Sequence, residues 1–224
     1  MPLIGSLNER ALHAALKEWF RHDGDLVEHP VHGFVVDLVR DDLLIEIQTR
    51  GFSAMRRKLD HLLDIHPIQI VYPIATRKWI TRIDQDGATT HRRRSPKQGI
   101  VLDLCEELVS FPSLLDHPNL SVVVALVEIE EIRRPDSEAH RRRRGFVVEE
   151  RRLIDVVETV RIDSPGDLRD LVPGGLPDPF TTAHLADALG RSRHQAQSIA
   201  YCLRVSGVIE ATGRDKGGIL YRAS

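Results

Sequence analysis

Cysteine is scarce in this chain: 224 residues include only Cys105 and Cys202. Two cysteines are too few for a disulfide framework or a zinc site, and their scarcity fits a reducing compartment. No apolar run exceeds the length of a strand and no secretory leader is legible, so a cytoplasmic chain with no membrane partner is expected. An excess of one charge is also missing, since 31 basic residues face 33 acidic ones for a formal net charge of −2. With no global field to draw a polyanion, any nucleic-acid contact must rest on local patches. Lysine is rare beside arginine, which suits bidentate phosphate contacts and equally the bias of a GC-rich genome. There is no internal repeat and no glycine-rich phosphate loop, which argues against an NTP-driven motor.

What the chain does contain is a pair of acids inside apolar strand patterns. Asp37 lies in GFVVDLVRDD, and Glu46 and Gln48 lie in LLIEIQTR just beyond it. Acids are depleted in strands and costly to bury without a partner or a metal. A hairpin turning at residues 40–42 brings both carboxylates to one edge of a sheet, an oxygen site of the kind that hard cations take. The plain alternative is an exposed edge hairpin with solvated acids. Upstream, LNERALHAALKEWF has the period of an amphipathic helix and places Glu9 on one face with Leu12, His13, Leu16 and Phe20. An acid within that stripe is explained if the helix lies on the sheet and Glu9 reaches toward Asp37 and Glu46. Alternatively, Glu9 only serves the first turn of the helix.

Helix with Glu, hairpin with Asp, then Glu-x-Lys resembles the PD-(D/E)xK nuclease superfamily, which includes archaeal Holliday-junction resolvases and many restriction enzymes. The likeness runs over roughly the first 75 residues and implies a restriction-endonuclease-like core, an α/β fold with a mixed sheet. It implies that Asp37 and Glu46 bind Mg²⁺ or Mn²⁺, if the site is active, and that Glu9 supports them. Val36 stands where the motif has proline. Gln48 stands where it has lysine, and a neutral amide cannot fill a charged role. The helical segment GFSAMRRKLDHLLDIH places Met55, Leu59, Leu62 and His66 on one face with Lys58 at its flank. In this superfamily the lysine migrates from strand to helix in some members, so Lys58 is the candidate replacement. The plain alternative is a surface lysine. Likeness to the junction resolvases also implies a two-fold homodimer.

Three further stretches bear on a polyanion. The segment IQIVYPIA at residues 68–75 is a strand that Pro73 ends or puts at an edge. It leads into KWITRIDQDGATTHRRRSPKQG, where Arg92, Arg93, Arg94 and Lys97 follow an Asp-Gly turn. Such a cluster is a phosphate clamp or a solvated loop. A second cluster, Arg141 to Arg144, is expected to cap a long hairpin formed by LSVVVALVEIEEIR and by GFVVEERRLIDVVETVRI, the latter read as a strand followed by more sheet or a short helix. The third stretch is FTTAHLADALG…AQSIAYCLRVSGVIE with ILYRA after it. Thr181 or Thr182 caps one helix and Gly190 stops it, Ser192 caps a second and Gly207 stops it, and a small hairpin follows. This pattern resembles the winged helix-turn-helix of DNA-binding regulators. The resemblance implies that the second helix enters the major groove with Arg193, His194, Gln197, Ser198 and Tyr201 outward, while Arg214 and Lys216 of the wing meet the backbone. Winged helices also serve as protein-protein modules.

Three regions are thus expected: a nuclease-like domain at 1–105, a strand-rich connection with a basic hairpin at 106–172, and a winged helix at 173–224. The functional expectation is a metal-dependent DNA endonuclease that hydrolyses phosphodiester bonds. The alternative is a catalytically inactive DNA-binding regulator or accessory factor on the same scaffold, and Gln48 divides the two.

Overall fold

The computed structural model of the chain describes residues 4–136 and 145–223, with side chains from residue 11 onward. Glu9 therefore has a described backbone only, and the Arg141 to Arg144 cluster lies outside the described residues. The fold is mixed α/β. Helix α1 (Ile4–Phe20) leads into strands β1 (Leu26–Val31), β2 (Phe34–Arg40) and β3 (Leu43–Ile47). Helix α2 (Arg56–Leu62), strand β4 (Ile68–Ile83), strand β5 (Thr89–Arg94) and the short helix α3 (Cys105–Leu108) come next. Two long strands, β6 (Leu120–Pro135) and β7 (Phe146–Ile162), complete one seven-stranded sheet in the order β1-β2-β3-β4-β6-β7, with β5 hydrogen-bonded to β4.

Local chemistry sets the turns. His32 and Gly33 both have positive φ, 46° and 82°, which closes the two-residue connection from Val31 to its partner Phe34. Asp41 takes φ 52° between the paired Arg40 and Leu43, a left-handed position that a short carboxylate side chain tolerates. The pairing then changes direction: β3 and β4 are parallel, as are β4 and β6. Parallel neighbours require a crossover, and α2 supplies the first one.

Two segments differ from the sequence expectation. The strand read as ending near Pro73 runs on to Ile83. Gln48 N–H donates to Val71 O at 2.8 Å, so the next bond of that ladder would need an N–H from residue 73. Proline has none, so pairing with β3 stops there, while on the other side Pro73 still pairs with Ala125. The residues at 106–172 are no separate connection either, because β6 and β7 continue the same sheet. Residues 146–162 form one uninterrupted strand.

The sheet has a core on each face. Leu12 and Leu16 of α1 pack against Leu38, Ile45, Ile47, Val71 and the odd-numbered residues 123–129 of β6. The opposite face holds Val36, Leu44, Ile68, Ile70 and Val122 against α2, α3 and the C-terminal residues. That C-terminal module consists of α4 (Pro165–Asp170), α5 (Thr182–Leu189), α6 (Arg193–Val205) and the antiparallel hairpin β8 (Ile209–Asp215) and β9 (Gly218–Ala223). Thr181 and Ser192 cap α5 and α6 through their side-chain oxygens, and Gly190 ends α5 at φ 61°. Buried Ile199, Ala200 and Leu203 of α6 share a single core with Cys105 and Leu108 of α3. Cys202 Sγ donates to Cys105 O at 3.3 Å across that contact.

Candidate functional site

The strands β2 and β3 part at Asp37. Their last registered pair is Leu38 with Ile45. Beyond it the strict alternation of β2 fails: Leu38 belongs to the α1-side core while Val36, two residues away, belongs to the other. The Asp37 carboxylate fills the gap. Its Oδ2 accepts the Ile47 N–H at 2.9 Å, replacing a ladder bond the partner strand no longer makes. His13 Nε2 of α1 lies 3.1 Å from the same oxygen. An ionised carboxylate only accepts, so His13 donates from Nε2. Lys17 Nζ stands 3.9 Å from Oδ1 and 2.5 Å from Glu28.

Glu46 sits one strand over and is 7% exposed. Its Oε1 accepts from Lys58 Nζ at 2.7 Å, and that ammonium also donates to Val35 O at 2.7 Å. Lys58 thus bridges the inner acid of β3 and the backbone of β2 from the α2 side. The amide of Gln48 donates to the carbonyls of Arg50 and Gly51 in the loop that follows β3. That loop is held in turn by Glu107, whose Oε2 accepts from Gly51 N at 2.9 Å and Phe52 N at 3.0 Å. Phe52 anchors it, stacked on Phe111 with ring centroids 5.6 Å apart.

The two carboxyls are tuned in opposite directions. Burial pushes Asp37 up, but the hydrogen bonds from His13 and Ile47 N–H and the charges of His13 and Lys17 outweigh it and hold the group below the usual aspartate range. Burial lifts Glu46 above the usual glutamate range, the Lys58 hydrogen bond and charge offset only part of that, and the charge of Asp37 adds to the lift. The groups therefore sense each other, although their partners come from α1 on one face and α2 on the other.

Among the described residues no cluster of three or more His, Cys, Asp and Glu side chains is placed to hold a metal ion. The donors that the strands do offer are two carboxylates without a thiol. Among the described residues the one ion pair of Asp37 Oδ1 is with the Lys17 ammonium, at 3.9 Å. Such a set suits a hard cation held by two carboxylates, with water and substrate completing its shell.

The basic features fare unevenly. Arg92 is engaged: its Nε lies 3.0 Å from Glu130, and its guanidinium stacks 4.1 Å over the Trp79 ring. The residue stays exposed all the same. Arg93, Arg94 and Lys97 are exposed. On α6, Arg193, His194, Gln197 and Tyr201 are exposed, whereas Ser198 is half-buried with its hydroxyl on His194 O. Arg214 and Lys216 are exposed on the β8–β9 hairpin. Sequence reasoning did not find the roles of His13 and Glu107. His13 carried a signal, a titratable side chain on an apolar helical stripe one turn after Glu9. Glu107 carried none, since its target lies 56 residues away.

A family described as a domain of unknown function, DUF8091, matches residues 10–163. The chain belongs to this family. The DUF8091 stretch contains Asp37, Glu46, Lys58 and the whole seven-stranded sheet, and it ends before α4. A Treponema pallidum (strain Nichols) protein, named as an uncharacterized protein, is 31% identical over 216 residues, which is 96% of this chain and 84% of its own length. That similarity extends through the C-terminal module as well. No solved structure matches the chain.

Proposed function

We propose that the chain is a divalent-metal-dependent DNA endonuclease with its active site at Asp37 and Glu46 and a C-terminal winged helix that holds the substrate. The observation that carries this reading is the Lys58 ammonium 2.7 Å from Glu46, one strand over from Asp37, whose carboxylate accepts the Ile47 N–H where β2 and β3 part. Two strand acids and a cation are the chemistry that phosphodiester hydrolysis needs, and Lys58 from α2 supplies the charge that Gln48 lacks. The order helix, three antiparallel strands, helix and parallel strand supports the resemblance to PD-(D/E)xK nucleases. Asp37 and Glu46 would hold Mg²⁺ or Mn²⁺, which when bound makes a water more acidic and steadies charge on the phosphate. His13 and the Ile47 N–H keep Asp37 ionised and fixed. Lys58 orients Glu46 and offers a donor to a phosphate oxygen or water at the mouth. The helix-turn-helix order of α5 and α6 and the exposed Arg193, His194 and Gln197 support DNA as the partner.

A second reading is a non-catalytic DNA-binding protein on the same scaffold. What favours it is that each acid already has a protein partner, His13 on Asp37 and Lys58 on Glu46, and that Gln48 is occupied by its own loop. Cleavage separates the two. Purified protein with Mg²⁺ or Mn²⁺ is expected to cut duplex, flap or branched DNA, and Asp37→Asn is expected to abolish cutting while leaving DNA affinity intact or tighter, because one repulsive charge is gone. Binding without cutting of any of these substrates assigns the chain to the second reading.

A further inference from the structure

Where the sheet meets the C-terminal module there is a cleft of about 540 Å³, bordered by Lys78, Lys97, Gln98, Asp103, Arg191 and Gln195. Its balance of charge is uneven. The acid on its wall, Asp103, is taken in two-pronged fashion by Arg191, at 2.8 and 3.1 Å, and Arg191 also donates to Gln98 O at 2.8 Å. Lys97 is exposed, and among the described residues its ammonium has no partner. Among the described residues Lys78 has one ion-pair partner, Glu131 at 3.8 Å, and that carboxylate is shared with Arg133 at 2.5 Å and Arg151 at 3.3 Å. Two lysines thus border a concave polar space with little to neutralise them. The space is also shaped with care. Gly99 lines it with its N–H on Ala75 O at 2.8 Å, and a Cβ there would stand 2.3 Å from the Ile74 side chain. The backbone of residues 97–99 is therefore pressed against β4, which fixes where Lys97 begins.

We propose that this cleft is a phosphate-binding site that takes a backbone phosphate of the DNA strand lying across α6, so that the sheet and the C-terminal module grip one strand together. The proposal rests on the DNA-binding part of the reading above and not on cleavage. Lysine ammonium groups suit it, being mobile point charges that follow a phosphate. Arg191 and Gln195 flank the start of α6, so a strand leaving the exposed Arg193 and His194 meets the cleft next. The site also ties Asp103 and Arg191, the ion pair between the two modules, to the presence of the polyanion.

The test is binding of a labelled duplex, followed by fluorescence anisotropy in EDTA over a salt series, so that no cleavage enters. Lys97→Glu is expected to weaken binding about tenfold and to reduce the salt slope by about one, because one phosphate contact and its released counterion are lost. Lys78→Ala is expected to weaken it less, in the same direction. Both variants should melt like wild type. Pyrophosphate is expected to raise the melting temperature of the wild type, not of Lys97→Glu, and to compete with the duplex. Unchanged affinity and slope in both variants overturns the site, even if Arg193→Ala with Gln197→Ala loses binding. Pyrophosphate stabilisation without competition would overturn the DNA assignment and leave a small phosphate ligand. Absence of any DNA binding by the wild type overturns it too. Binding that follows the expected pattern with no cleavage in Mg²⁺ keeps the cleft and removes only the nuclease.

Discussion

Replacing Lys58 by methionine keeps the aliphatic stem and removes the ammonium, which isolates its charge. Glu46 is 7% exposed and has that ammonium 2.7 Å away. Breaking one side of a buried ion pair costs about 3–5 kcal/mol, and the partial exposure of Lys58 argues for the low end, about 3 kcal/mol. The Val35 carbonyl loses a donor as well. The pH dependence gives the mechanism away. A carboxyl that burial lifts above its ordinary range holds its proton more readily in the folded chain than in the unfolded one, so stability falls as pH rises through the window just above that range. Glu46 has this sign already in the wild type, and without Lys58 the fall is steeper and reaches higher pH. Urea unfolding followed by circular dichroism should therefore give a loss of about 3 kcal/mol near pH 8, shrinking to about 1 kcal/mol in acid as the buried carboxyl becomes protonated. Lys58→Met with Glu46→Gln should recover much of the loss, since no unpaired charge remains. An equal loss at both pH values, or a double variant that sums the two singles, would refute the buried-pair reasoning.

Other expectations follow from the same geometry. His13→Ala removes a hydrogen bond from Asp37, whose carboxyl is held below its ordinary range. Stability from that group is present above the ordinary range and lost as pH falls through the folded value, so a cost of about 1 kcal/mol at neutral pH should close in acid. Glu131→Gln leaves Lys78, Arg133 and Arg151 around a neutral amide at a position only 3% exposed, and a loss of about 3 kcal/mol, partly restored by salt, is expected in thermal melts. Leu203→Ala empties a fully buried position between α6 and α3, with an expected cost of about 2–5 kcal/mol in guanidinium unfolding.

How much of this was legible depends on the range of the interaction. Thr181, Gly190 and Ser192 act on N–H and C=O groups within four residues, and their caps are readable from sequence alone. Val/Leu/Ile-rich runs likewise located the strands around Asp37 and Glu46. Membership of the sheet was not legible, because β4 meets β6 through residues about fifty positions apart, and no local pattern names a partner strand. The bend at Asp37 was hidden for a related reason. Alternation predicts one face for Val36 and Leu38, yet the loss of pairing beyond Leu38 lets the strand turn and sends them to different cores. Lys58 could be nominated from the helical period, but only the fold sets it against Glu46.

The economy of the Asp37 region argues that something other than packing selected it. A buried ion pair contributes little net stability compared with apolar residues of similar volume. Leucine or methionine at positions 46 and 58 would fill the same space without desolvating charge. Instead Asp37 interrupts a ladder, so that a carboxylate rather than a carbonyl meets the Ile47 N–H, and helices on opposite faces each deliver a donor, His13 to Asp37 and Lys58 to Glu46. The outcome is two carboxyls one strand apart, one held ionised and one pushed toward its neutral form. Titratable groups whose surroundings drive their pKa values apart characterise sites that bind ions or move protons more often than sites that merely hold a fold. A structural role would make Asp37→Asn and Glu46→Gln cost stability, since each weakens the hold on His13 or strips Lys58 of its partner, with no other consequence. A chemical role would add the loss of an activity that the paired variant Lys58→Met with Glu46→Gln does not bring back even where it restores the fold, and that split between stability and activity is the signature by which this site should be judged.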